Sequence, residues 1–326
     1  MFIVKKLLKK FKAVNRALFN SNYEDIKMTV NEINTRLDYF LHLENKLNTI
    51  LSHLSDENSY INMNINTIRH GLSVPFWRQE IRANELISVL KPNIFLNLER
   101  VGNLNDGGYF VPTKLINKIS LAVNIGIGDE TSLDQDLLSK GFTIHAYDPY
   151  IESHPIQNTE NIRFFKQGLS SSFPNLNIGM NEILSRVDNE IHGNDDCKKC
   201  LFIDIEGSEW EHFRDVNEVD LLSKFSFIVF EFHDLLRVIS MAEDFQFAKV
   251  VQILKQITNN FEICHISGNN SSSALYFNNK IFPDVLELTL VNKSEIFPGF
   301  ERVSNNMPVS MNDPSRKPYD LNNWNY

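Results

Sequence analysis

Asp204 and Glu206 stand two residues apart in LFIDIEGSEWEHF (201–213), and Glu231 and His233 repeat that spacing in FSFIVFEFH (225–233). Large apolar residues surround both pairs, so both segments read as buried strands. Alternate side chains of a strand share a face, so each pair presents two polar groups on one side. Charges on a core strand are costly unless a task holds them there. An imidazole among carboxylates can exchange a proton near neutral pH, and carboxylates can orient a hydroxyl or hold a divalent ion. His233 is expected as a general base with Glu231 orienting it, and Asp204 and Glu206 are the other catalytic candidates. A divalent ion shared by Asp204, Glu206, Glu231 and His233 is the less favoured use, and no metal ligand is assigned. The plain structural alternatives are a hydrogen-bonded strand-end histidine and, for Glu206, a cap on the helix beginning near Ser208.

The elements that must position these groups begin at Leu121. SLAVNIGIG, FTIHAYDP, IRFFKQGL, CLFIDIEG, FSFIVFEFH, EICHISG and VLELTLVNK read as strands. Helical patterns separate most of them, among them SLDQDLLSK closed by Gly141 and MAEDFQFAKVVQILKQITNN. This alternation predicts an α/β fold with a doubly wound, mostly parallel seven-stranded sheet covered on both faces. The last two strands lack a long connecting helix, which predicts an antiparallel strand at one edge.

In such a sheet a ligand binds beyond the carboxyl ends of the strands, where their order reverses. The first strand ends in NIGIGDETS, where Gly126 and Gly128 allow a tight turn and a close ligand approach. Asp148 ends the second strand and can accept ribose hydroxyls. The third glycine of a dinucleotide fingerprint is missing, and Asp129 and Glu130 stand where a pyrophosphate would be repelled. A cofactor without phosphates and with positive charge fits better. These residues therefore favour S-adenosyl-L-methionine (SAM) over NAD, and a dehydrogenase is the rival enzyme.

D-G-G-Y (106–109), N-I-G-I-G-D-E-T-S-L, Y-D-P, I-D-I-E-G-S-E-W and V-F-E-F-H together resemble the FkbM-type SAM-dependent methyltransferases. The resemblance spans roughly residues 99 to 300. It implies a class I methyltransferase (Rossmann-like) sheet and O-methylation of a hydroxyl on a sugar, nucleotide-activated or borne on a surface polysaccharide. It also implies cofactor-binding roles for Asp106, Asn124, Gly126, Gly128, Asp148 and Gln167. Trp210, Glu231, His265, Asn269 and Asn270 would then meet the substrate. The alternatives are a non-sugar hydroxyl as acceptor, and a non-catalytic coiled-coil adaptor with a degenerate methyltransferase fold.

The chain has 326 residues, 42% hydrophobic, with a net charge of −9. That is a soluble globular composition, and the negative charge argues against a nucleic-acid partner. Three cysteines make no disulfide framework, which fits a cytoplasmic location. Cys197 and Cys200 form a lone C-x-x-C, read as an exposed polar loop rather than a metal site. Three segments are expected: an N-terminal helical segment over 1–75, the methyltransferase domain over 76–302, and a polar, irregular C-terminal tail over 303–326. Within the first, an apolar 4-3 seam runs from Ile26 to Ile68 with Asn58 on it, predicting a coiled coil and a homo-oligomer. Residues 1–16 set Phe2, Ile3, Leu7, Phe11 and Val14 against a lysine-rich face, the pattern of a helix lying on an anionic membrane surface or, equally, of a short solvated helix with a basic face.

Overall fold

The computed structural model describes residues 74–157, 160–169, 175–190, 198–213, 216–296 and 308–324. The basic amphipathic start, the 4-3 seam and Cys197 all lie outside the described residues.

Helix α1 (Phe76–Leu90) stops ahead of Pro92 as the sequence predicts. A hairpin of β1 (Leu98–Val101) and β2 (Tyr109–Pro112) follows. The GNLNDGG segment forms its turn. The main sheet contains β3 (Leu121–Ile125), β4 (Thr143–Tyr147), β5 (Ile162–Phe165), β6 (Lys199–Ile203), β7 (Phe227–Phe232), β8 (Phe261–Gly268) and β11 (Leu286–Asn292). Their order across the sheet is β5-β4-β3-β6-β7-β11-β8. Between β8 and β11, β9 (Ala274–Phe277) and β10 (Lys280–Pro283) make a separate hairpin around Asn278 and Asn279, both at positive φ.

The sheet is mixed, which corrects the mostly parallel expectation. Four neighbouring pairs are parallel, while β11 runs antiparallel to both β7 and β8. The antiparallel strand is also not at the edge. It inserts between β7 and β8, because β8 arrives from the long helix that precedes it and takes the outer position. The chain order reverses at β3, which has β4 on one side and β6 on the other.

Strand periodicity divides the core in two. Leu121, Val123, Ile125, Leu201, Ile203, Ile228, Phe230 and Phe232 enter one apolar cluster. Ala122, Cys200, Phe202, Phe227 and Val229 enter the other. Cys200 is therefore a core residue of β6, not part of an exposed loop, and burial pushes its thiol pKa far up. By the same alternation Asp204, Glu231 and Glu287 fall on the second face, toward the carboxyl ends of β6 and β7. Glu231 and Glu287 stand directly opposite each other on β7 and β11.

The segment 308–324 is irregular, as expected, but it is part of the fold rather than a loose tail. Ser310, Asn312, Leu321 and Trp324 are buried. Asn312 Nδ2 donates to Glu287 Oε1 at 2.6 Å, and the Ser310 N–H donates to Ser267 Oγ at 3.0 Å. No helix among the described residues is long and apolar enough to cross a membrane.

Candidate active site

A crevice of about 300 Å³ opens beyond the carboxyl ends of β3, β4 and β6, where a doubly wound sheet places its ligand. Asp106, Asp129, Glu130, Asp148, Asp204 and Glu206 line it together with Gly126, Gly128, Gly168 and Tyr150. Six acidic residues thus line the crevice, and among the described residues no lysine or arginine does.

The two glycines of the first turn do different things. A Cβ on Gly126 would lie 1.6 Å from the Asp204 carbonyl oxygen, so this glycine lets β3 and β6 close on each other. Gly128 has nothing within 4 Å of such a Cβ and faces open space. Asp148 ends β4 as expected, but its oxygens are engaged. Oδ2 accepts from the backbone N–H of Ile127 and Gly128, both at 3.0 Å, and Oδ1 accepts from Tyr150 at 2.7 Å and Ile151 at 3.3 Å. A carboxylate has about four acceptor positions, so this one is filled by the loops it ties together.

Beside the crevice a histidine stands among acids. His233 Nδ1 bonds Glu209 Oε1 at 3.0 Å, and Glu209 is fully buried. Glu209, not Glu231, orients the imidazole, because the short helix α2 (Glu209–His212) carries it against the end of β7. His233 Nε2 lies 3.6 Å from Glu206 Oε2, 3.7 Å from Asp204 Oδ1 and 3.9 Å from Glu231 Oε1, all beyond hydrogen-bond reach. Glu231 is instead held by Asn269 Nδ2 at 2.8 Å and, more weakly, by the Tyr109 hydroxyl at 3.4 Å.

The electrostatics follow from burial and crowding of like charge. Burial pushes Asp204 up, His233 opposes this, and Glu206 and Glu209 add to it, so its pKa rises to about 7. Burial also raises Glu231 well above the carboxylate range, helped by Asp204 and Glu287. For His233 burial acts downward, but the Glu209 hydrogen bond and the charges of Glu209, Glu231 and Asp204 carry its pKa up to about 10. In the protein alone His233 is an imidazolium at neutral pH. An imidazolium has no lone pair with which to take a proton, which weighs against a base role for His233.

Asp106, Gly126, Gly128, Asp148, Asp204 and Glu206 thus come together at one crevice, with Glu231 and His233 beside it. The remaining expected residues do not join them. Asn124 points away into the second core face and donates to buried Asp134 at 2.9 Å, pinning the helix Ser132–Ser139. Gln167 lies outside the lining, where its neighbour Gly168 stands instead. Trp210 stacks on Phe232 and donates to the His233 carbonyl at 2.6 Å, so it supports β7 from the opposite face. His265 is enclosed, bonded to the Pro308 carbonyl at 2.9 Å and packed on Phe110. Asn269 is committed to Glu231, and Asn270 holds the carbonyls of Asp313 and Arg316. Sequence reasoning missed Glu209, Tyr109 and Glu287. Glu209 and Tyr109 were within quoted motifs, but only the fold turns them toward His233 and Glu231.

No model of a known protein family matches the chain, and no curated protein matches it. Solved structures similar in part include a chain of the fibrillarin/Nop5p complex, 14% identical, with a TM-score of 0.31, covering 54% of this chain and 73% of that one. Another is a mutant 16S rRNA (adenine(1408)-N(1))-methyltransferase from Catenulisporales acidiphilia, 9% identical, with a TM-score of 0.28, covering 60% of this chain and 98% of that one. At these scores neither bears weight, and the description of the fold rests on strand order and direction.

Proposed function

We propose that the chain is a SAM-dependent O-methyltransferase acting on a hydroxyl of a sugar. The observation that carries this reading is the crevice at the reversal of strand order, lined by six carboxylates and by no lysine or arginine among the described residues. A dinucleotide brings a diphosphate that needs positive charge or a glycine-rich helix start. SAM carries a cationic sulfur and an amino group and no phosphate, so the same acids attract it.

SAM supplies an electrophilic methyl group. Asp106 and Asp129, which line the crevice, would meet its amino group. Asp148 would hold the ribose hydroxyls, its Ile151 N–H contact being the longest of its four. Asp204 and Glu206 meet the acceptor hydroxyl, hold it in line and receive its proton, a task the protonated His233 cannot perform. His233 balances their charge. An acceptor carrying a diphosphate beside this crevice is disfavoured by the same acids, so a glycan-borne or uncharged sugar fits better than a nucleotide-activated one.

Calorimetric titration of the full chain with SAM and, separately, with NAD tests the reading. Saturable SAM binding at micromolar concentration or tighter, with no NAD binding, is expected. Binding of NAD alone would make the chain a dehydrogenase-like protein, and binding of neither would leave a non-catalytic scaffold.

A further inference from the structure

We propose that Asp204, Glu206 and His233 form a site for one divalent transition cation of the zinc class, opening on the crevice. One donor atom from each residue lies within 4.8 Å of the others. The Nε2–carboxylate separations of 3.6 and 3.7 Å are too long for hydrogen bonds. They are close to the roughly 3.4 Å between two ligands each about 2.1 Å from a tetrahedral ion. An octahedral magnesium ion brings adjacent ligands to about 3 Å.

Two independent features point to a ligand here. Asp204 Oδ1 is shut off from solvent and has no hydrogen-bond partner, although the side chain as a whole is 33% exposed. An enclosed carboxylate oxygen with no donor is costly unless a cation satisfies it. Second, fully buried Glu209 accepts from His233 Nδ1, so that once a cation displaces the Nε2 proton the freed lone pair is directed toward Asp204 and Glu206. A carboxylate behind an imidazole is the usual outer support of a metal-bound histidine. The donor set of one imidazole and two carboxylates, without thiolate, suits zinc or manganese better than calcium or magnesium. Three protein ligands leave a coordination position for a hydroxyl-bearing molecule on the crevice side. Occupancy of the site is independent of the methyltransferase reading; only its use in orienting an acceptor hydroxyl rests on that reading.

The test is calorimetric titration of the chelator-treated full chain with Zn²⁺ in the absence of SAM. One equivalent is expected to bind the wild type. Glu209→Gln is expected to weaken binding by about 10- to 100-fold, and His233→Ala by more. Glu206→Gln, whose side chain is 85% exposed, leaves the fold intact and is expected to weaken binding at least about tenfold. If His233→Ala does not fold, Glu206→Gln alone decides. Absence of saturable Zn²⁺ binding by the wild type overturns the proposal. So does one equivalent bound with unchanged affinity by Glu206→Gln. SAM titration of the metal-free chain is scored separately, so either idea can fail while the other stands.

Discussion

Gly126 turns with φ +83° where the Asp204 carbonyl fills the place of a side chain. Gly126→Ala is therefore expected to lose at least about 2 kcal/mol in urea unfolding, from backbone strain and overpacking together. A loss below about 0.5 kcal/mol would mean that β3 and β6 can part locally. His265 gives the other single-residue prediction. Burial lowers its pKa to about 4, with the Pro308 carbonyl opposing, so the folded state keeps it neutral where the unfolded chain protonates it. Between about pH 6.5 and 4 the unfolded state then binds more protons, and stability falls as pH falls through that window. The contribution is on the order of 3 kcal/mol. Buried acids such as Asp204 act in the opposite sense, so the wild type alone does not isolate it. The difference in unfolding free energy between wild type and His265→Gln should change over that window. A constant difference would show that His265 is protonated in the fold. These two residues also mark what sequence could say: both were noticed for chemistry, and the structure uses both for closure.

At the scale of elements, strand alternation does most of the placing. It carries Asp204, Glu231 and Glu287 to one face, where the β1–β2 hairpin and the C-terminal segment cover them. That alternation was legible, since period two needs only the local pattern. The cover was not, because the contacts joining 308–324 to β8 and β11 span 25 to 43 residues, as in Asn312 with Glu287 and Ser310 with Ser267. Trp324 anchors this segment, stacking on Phe282 and donating to the Ile281 carbonyl at 2.8 Å. Trp324→Ala is expected to cost about 3 kcal/mol, measured as a fall in the urea midpoint. An unchanged midpoint would mean that the segment is an unattached tail after all.

At the scale of the molecule, the fold brings six acids from four separate stretches of chain to one crevice, and this convergence separates a cation-seeking site from a diphosphate site. Local composition and periodicity already gave the α/β class, the seven strands of the main sheet and several helices, the acids past the first glycine turn, and the pairing of polar groups on β6 and β7. Each of these needs only neighbours a few residues apart. The position of β11, the exchange of Glu231 for Glu209 as the partner of His233, the saturation of Asp148 and the enclosure of Asp204 Oδ1 all came from folding. Each depends on which distant backbone or side chain fills the space beside it, and no local spacing encodes that.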